Sequence, residues 1–189
     1  VRSGDVRRAA NAVELAFKNG RIAGPIVDAA IRAATDAGRP QLAANVARAN
    51  GRHREAAETL SRAGMLLDAA RAWEDSGDKL RAAESLTAAG KPEQAARLKA
   101  EKFVETGDLA QAAAFYENAG MLPEAAAVLA KAGQWKDAFD CYMRAGMARE
   151  AALVARSHLD PAEAANLFAA IEEWEDAGLA WEAAGDGRA

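Results

Sequence analysis

The sequence predicts an all-α protein, a solenoid of stacked antiparallel helix pairs, on three observations. Alanine, which has the highest helix propensity and the smallest apolar side chain, accounts for 53 of the 189 residues. Glycine recurs at every thirteenth position through most of the chain. Between successive glycines, apolar residues follow the spacing of one helix face, and the alternation typical of a strand is missing. Together these observations indicate short helices joined by tight turns.

The glycine repeat divides the chain into eleven units between Gly38 and Gly185. Four units of thirteen residues follow Gly38, one unit of seventeen ends at Gly107, and the shorter spacing then resumes. It passes through Leu159 and Glu172, which stand where glycine is expected, and returns to glycine at residue 185. The register therefore persists through two units that lack the glycine.

Each unit has a common pattern when its residues are numbered from 1, with the glycine at position 13. Positions 5 and 6 are usually Ala-Ala, position 4 is often acidic, position 9 is usually large and position 12 is small. Positions 2, 5, 6, 9 and 12 fall on one helix face, which we expect to form the core. The expected core side chains at position 9 are Leu60, Trp73, Leu86, Tyr116, Leu129, Tyr142, Phe168 and Trp181.

Proline and glycine mark the expected ends of these helices. Pro40, Pro92, Pro123 and Pro161 all stand at position 2 or 3, in the first turn, where a missing N–H costs nothing. Glycine supplies the left-handed conformation that ends a helix. Each unit then holds a helix of about nine or ten residues, roughly 15 Å long. Because so short a helix is marginal alone, we expect two successive units to form a pair, and the pairs to stack on one another.

We expect residues 1–189 to form one continuous array. Residues 1–37 are less regular, although the stretch from Pro25 reads as a helix, and Gly4 to Gly20 resembles the long unit in length. Residues 38–90 and 108–185 are regular, whereas unit 91–107 gains about one helical turn that includes Phe103. Turn-like sequences at both ends indicate a segment of a longer array, with Gly185 as its last turn.

Charge and cysteine content limit the classes of function. Residues 1–104 carry 18 basic and 13 acidic side chains, and residues 105–189 carry 6 and 15, so the halves have opposite net charge. Cys141 is the only cysteine, which rules out an internal disulfide and fits a reducing compartment. No apolar run approaches the roughly 20 residues of a membrane span. We therefore expect a cytoplasmic protein.

The repeated motif AGxxxEAAxxYxxAG, in which leucine can replace the tyrosine as in "AGMLPEAAAVLAKAG" at residues 119–133, resembles tetratricopeptide-like α-solenoids, although its unit is shorter. It is most similar to the short helical pairs of clathrin-heavy-chain, coatomer and intraflagellar-transport solenoids. The resemblance implies a right-handed superhelix that acts as a scaffold. The richness in alanine and arginine favours a bacterial version.

The sequence offers little for catalysis. His53 and His158 are far apart in the chain, no zinc-type spacing occurs, and no phosphate-binding loop is present. Cys141 stands at position 8, beside the expected core stripe, which favours a packed thiol over a nucleophile. The acidic residues at position 4 lie in first turns, where the helix dipole favours negative charge. We therefore expect no enzymatic activity, cofactor or metal.

Two groups of residues are candidates for contact with a partner. Arg48, Arg52 and Arg54, in "RANGRHRE", could bind an acidic motif, although a solvated turn is the favoured explanation. Trp135 and Trp174 stand at position 2, near a helix start, where they either pack on a neighbouring turn or anchor a partner.

These observations favour a non-catalytic scaffold or adaptor that binds a protein or peptide in a helical-repeat groove. The alternative is a structural module that associates end to end as a homo-oligomer, aided by the opposite charge of its halves. A nucleic-acid-binding repeat is a weaker alternative, because positions 3, 7 and 10 carry no recurrent set of polar readers.

Overall fold

A computed structural model describes residues 24–186, and this part of the chain contains α-helices and no strands. The segment Gly4 to Gly20 lies outside the described residues. The twelve helices described are α1 (Gly24–Asp36), α2 (Pro40–Ala49), α3 (His53–Arg62), α4 (Leu66–Asp75), α5 (Lys79–Ala88), α6 (Pro92–Thr106), α7 (Leu109–Asn118), α8 (Leu122–Lys131), α9 (Trp135–Arg144), α10 (Ala148–His158), α11 (Pro161–Ala170) and α12 (Trp174–Asp186). The all-α prediction is confirmed.

The described helices belong to two compact units, which divide between Leu98 and Lys99. In the first unit, α1 to α5 each pack on their neighbours in sequence, and in the second, α7 to α12 do the same. This arrangement is that of a helical repeat. The handedness of the expected superhelix and the continuity of the array stay predictions.

Glycine ends the helices by the predicted mechanism. Nine glycines of the repeat, from Gly38 to Gly146, have φ between 67° and 83°. After α7, the N–H of Gly120 donates to the carbonyl of Glu117 and that of Met121 donates to Tyr116, both at 2.9 Å. These two bonds form a Schellman motif, which satisfies carbonyls at the helix end. A Cβ at residue 120 would meet no atom within 4 Å, so only the backbone conformation requires glycine there.

The units that lack the glycine behave differently from one another. Glu172 takes the left-handed conformation itself, with φ of 63°, and is the only non-glycine residue described that does so. Leu159 ends α10 with φ of −125°. The turn expected at Gly185 is wrong, because α12 continues through this residue to Asp186. Without a positive φ, glycine remains compatible with a helix.

The core is formed by positions 5, 6, 8 and 9. The alanine pairs at positions 5 and 6 are almost all without exposed surface. Position 8 is buried in most units, which includes Cys141 at 2% exposure, so the thiol lies in the core stripe and not beside it. Two polar side chains at this position, Thr59 and Ser85, donate their hydroxyls to the carbonyl four residues earlier, at 2.8 and 2.9 Å. The expected placement of positions 2 and 12 in the core is wrong, because these residues are partly or fully exposed.

Most, but not all, of the expected core side chains at position 9 are buried. Trp73, Tyr116 and Phe168 are buried, and Phe168 is fully so. Tyr142 is only partly buried, at the edge of the core around Tyr116. Trp181 is 49% exposed, which corrects the prediction. It lies on α12, the last helix described, whose packing is mostly against α11.

Ion pairs show which helices lie side by side within a unit. Arg48 of α2 pairs with Asp75 of α4 at 2.8 Å. In the second unit, Arg144 of α9 pairs with Glu117 of α7 at 3.1 Å. Both pairs join helices two apart in sequence, so alternate helices are lateral neighbours. This is the period of two 13-residue repeats that is expected from stacked helix pairs.

The long unit, 91–107, forms one longer helix, as predicted. α6 contributes Ala95 and Leu98 to the core of the first unit and Ala100 to a core of the second. Phe103, in the added turn, stacks on Phe115 of α7 with ring centroids 5.4 Å apart.

Candidate functional site

Among the described residues of the second unit, α7 and α9 border a groove, here called the α7–α9 groove, with a volume of about 360 Å³. It lies between two lateral neighbours, and Leu129 of the intervening α8 also contributes to it. The lining residues are Ala110, Ala113, Ala114 and Glu117 of α7, Leu129, Gln134, and Asp137, Asp140, Cys141 and Arg144 of α9. Its α7 wall is largely alanine, because positions 3, 6 and 7 of this repeat are Ala110, Ala113 and Ala114.

A hydrogen-bonded network joins the two walls of the groove. The Cys141 thiol donates to Oε1 of Glu117 at 2.8 Å, and Nη1 of Arg144 donates to the same oxygen at 3.1 Å. Burial, with Glu117 as an anionic neighbour, raises the pKa of Cys141 to about 11. At neutral pH only about one thiol in ten thousand is then ionised. Cys141 is thus a hydrogen-bond donor and not an activated nucleophile.

Two further carboxylates face the groove without such partners. Asp137 and Asp140 are exposed, and neither has an ion pair with any residue in the described part of the chain. They stand three residues apart on α9 and so share one face of the helix. The only cationic side chain that lines the groove, Arg144, is paired with Glu117. The groove therefore has an alanine wall, a neutralised network and two uncompensated negative charges.

The arginines singled out from the sequence do not form one site. Arg48 is paired with Asp75. Arg52 binds Asp28 of α1 and lies 3.4 Å from Glu55, and its hydrogen bond to Asp28 is the main cause of the raised pKa of Arg52. Arg54 is exposed on α3. Two of the three therefore join helices or fix a helix start within the first unit.

The two tryptophans singled out differ in their surroundings. Trp135 is partly buried and stacks on His158, with ring centroids 3.5 Å apart and planes 3° from parallel. Trp174 is 64% exposed. On α12, Trp174 and Trp181 stand seven residues apart with Gly178 between them, so all three share one face of the helix.

The described residues define a helical-repeat protein with a groove between α7 and α9. Among them, no three His, Cys, Asp or Glu side chains are placed as ligands of a metal ion. No helix between residues 24 and 186 is both long and apolar enough to cross a membrane. Comparison with models of known protein families found no match, and comparison with curated proteins found none either.

Proposed function

We propose that this chain is a non-catalytic interaction scaffold that binds a polypeptide segment in the α7–α9 groove. The observation that carries the proposal is the groove itself, a concavity between lateral neighbours with an alanine wall. Small side chains allow the backbone of a bound segment to approach the helices closely. Polar groups on the opposite wall can fix its orientation, as in other peptide grooves.

The proposal includes a kinship with tetratricopeptide-like solenoids, of the short type found in clathrin, coatomer and intraflagellar-transport proteins. What supports it is the AGxxxEAA motif together with helices that pack in chain order. It also includes a cytoplasmic role in a bacterium, supported by the single free cysteine and by the alanine-rich and arginine-rich composition.

The test is to select peptides from a random display library on the whole chain and to measure their affinity for variants of the groove. Ala114 is exposed, lines the groove and stands at position 7 of α7. Ala114→Trp fills the groove without disturbing a buried contact, and we expect it to weaken binding by about tenfold or more. Fluorescence anisotropy with labelled peptides measures the loss.

Ala127→Trp is the matched control. Ala127 is an exposed alanine at position 7 of α8, and it does not line the groove. We expect this variant to bind as the wild type does. Failure to select any peptide, or equal losses in the two variants, would refute the proposed groove function.

End-to-end self-association is a second candidate, favoured by the face of α12. In the preceding helices the residues at positions 6 and 9 are largely covered by neighbours, whereas in α12 these positions hold Gly178 and the half-exposed Trp181. With Trp174, they form an apolar face that a second copy of the chain could cover.

Sedimentation velocity over a range of concentrations tests this second function. We expect the wild type to associate, and the Trp174→Ser/Trp181→Ser double variant to remain monomeric. Leu67→Ser is the control, since Leu67 of α4 is 46% exposed outside this face. A wild type that stays monomeric at concentrations up to about 100 µM contradicts self-association.

A further inference from the structure

The charge of the α7–α9 groove is not balanced by the residues that line it. Arg144 is its one cationic side chain, and the guanidinium lies 3.1 Å from Glu117 and 3.9 Å from the Cys141 sulfur. Glu117 is thus neutralised within the protein. Asp137 and Asp140 have no such counter-charge in the described part of the chain and remain exposed.

The two carboxylates stand at positions 4 and 7 of their repeat, and the helix dipole accounts for only one of them. Acidic residues at position 4, such as Asp137, commonly occupy a first helical turn, where the dipole explains them. Position 7 lies past the first turn, where the dipole no longer explains an acid; it is alanine in α7 and α8, and Glu58 and Glu84 in α3 and α5. Asp140 therefore adds a negative charge where the helix dipole gives no benefit, beside a groove that already holds Asp137.

We propose that the segment bound in this groove is basic, and that a lysine or arginine of it places its charged end between Asp137 and Asp140. The proposal rests on the peptide-binding function proposed above. The aliphatic stem of such a side chain would lie along the exposed alanines, Ala110 and Ala114, on the facing wall. The charge would then meet the two free carboxylates and not Glu117, which is already hydrogen-bonded.

The wider charge of this half of the chain supports the same partner. Residues 105–189 carry 15 acidic and 6 basic side chains. Such an excess attracts a cationic segment at long range and raises its association rate at low salt. A metal ion is a poorer occupant, because within residues 24–186 no third potential ligand joins the pair.

The experiment uses the peptides selected on the wild-type chain and compares their affinities for charge variants. We expect the selected peptides to be enriched in lysine or arginine. The Asp137→Asn/Asp140→Asn double variant should bind them about tenfold more weakly, and its affinity should fall less steeply as sodium chloride is raised. Both substituted side chains are exposed, so unchanged urea unfolding of the variant verifies that the fold is intact.

Glu124→Gln is the matched control, since Glu124 is an exposed acid at position 4 of α8 and does not line the groove. It should change affinity by less than about twofold. Peptides that are neutral or acidic, or a double variant that binds like the wild type, overturn the basic-segment proposal. If such peptides are still blocked by Ala114→Trp, the groove function stands and only this inference fails. If no peptide is selected at all, both fail.

Discussion

Two residues with a positive φ at position 13, Gly120 and Glu172, allow predictions of opposite sign for the free energy of unfolding. Gly120 has φ of 72°, and a Cβ there would contact nothing within 4 Å. Replacing it with alanine therefore adds no clash, and its cost is the left-handed backbone alone, about 1–2 kcal/mol for an L-residue. Alanine also restricts the unfolded chain, which returns about 0.4–1 kcal/mol. Gly120→Ala should lower the free energy of unfolding by about 1 kcal/mol.

Glu172 presents the reverse case. It already has φ of 63° with a side chain, in the register position that glycine holds elsewhere. Glu172→Gly removes the same backbone cost and loses the same restriction of the unfolded chain. It should raise the free energy of unfolding by roughly 0.5–1 kcal/mol. The two substitutions should therefore have opposite signs at equivalent positions.

Gly178→Ala is the control for glycine content as such. Gly178 lies within α12 without a positive φ, and a Cβ there would again meet nothing within 4 Å. Alanine in a helix interior is favoured over glycine by about 0.5–1 kcal/mol, so this variant should gain stability.

Urea unfolding followed by far-ultraviolet circular dichroism measures all three variants. Because repeat arrays can unfold unit by unit, hydrogen exchange of the amides in the flanking helices localises each effect. The reasoning is refuted if Gly120→Ala is as stable as the wild type, or if Glu172→Gly is less stable than the wild type.

Other predictions concern packing and ionisation. Phe168→Ala should cost about 3–5 kcal/mol of unfolding free energy, because Phe168 is fully buried, whereas Tyr142→Ala should cost clearly less, since Tyr142 is partly exposed; equal losses in urea unfolding would contradict this. The Cys141 pKa, raised from 9.0 to about 11, means that the unfolded thiol ionises first. The contribution of the protonated Cys141 thiol to the free energy of unfolding should be complete below about pH 9 and lost as the pH rises towards 11. In Cys141→Ala this part of the decline in stability with pH should be absent. In the native chain at pH 8, alkylation of Cys141 should be at least about tenfold slower than in urea, and Glu117→Gln should accelerate it, since Glu117 contributes to the raised pKa; native and unfolded rates that agree would contradict the assignment.

The helix boundaries could be predicted because they depend on local backbone chemistry. A proline such as Pro161 begins a helix and a glycine such as Gly120 ends one, whatever packs around them. The buried positions of the repeat were predicted less well. Position 12, for example Ala119, follows the last helical residue as the cap, so the helical periodicity no longer places it on the buried face. Position 8 is buried because a helix with neighbours on two sides buries a wider stripe than a surface helix does.

The groove could not be predicted in the same way, because it depends on the placement of α7 beside α9. A trace of this pairing nevertheless exists in the sequence. Arg48 and Asp75 stand at positions 10 and 11 of units that are two apart, and Glu117 and Arg144 have the same separation. Opposite charges at these positions thus indicate lateral neighbours. No comparable signal distinguishes a groove-facing residue at position 7 from a solvated one.

This recurrent pairing also explains which charges are free to bind a partner. In the pair Arg48–Asp75 the arginine comes earlier in the chain, whereas in the pair Glu117–Arg144 the glutamate does. The order of the charges is therefore reversed, while the same two repeat positions are paired. The common element is complementarity between lateral helices, and the charges at positions 10 and 11 neutralise one another in either order. Recognition by charge must then come from other positions that face the same groove. In the second unit these are positions 4 and 7 of α9, which hold Asp137 and Asp140. Loss of Asp137 and Asp140 should therefore release a basic segment, while Glu117 and Arg144 keep the two helices paired.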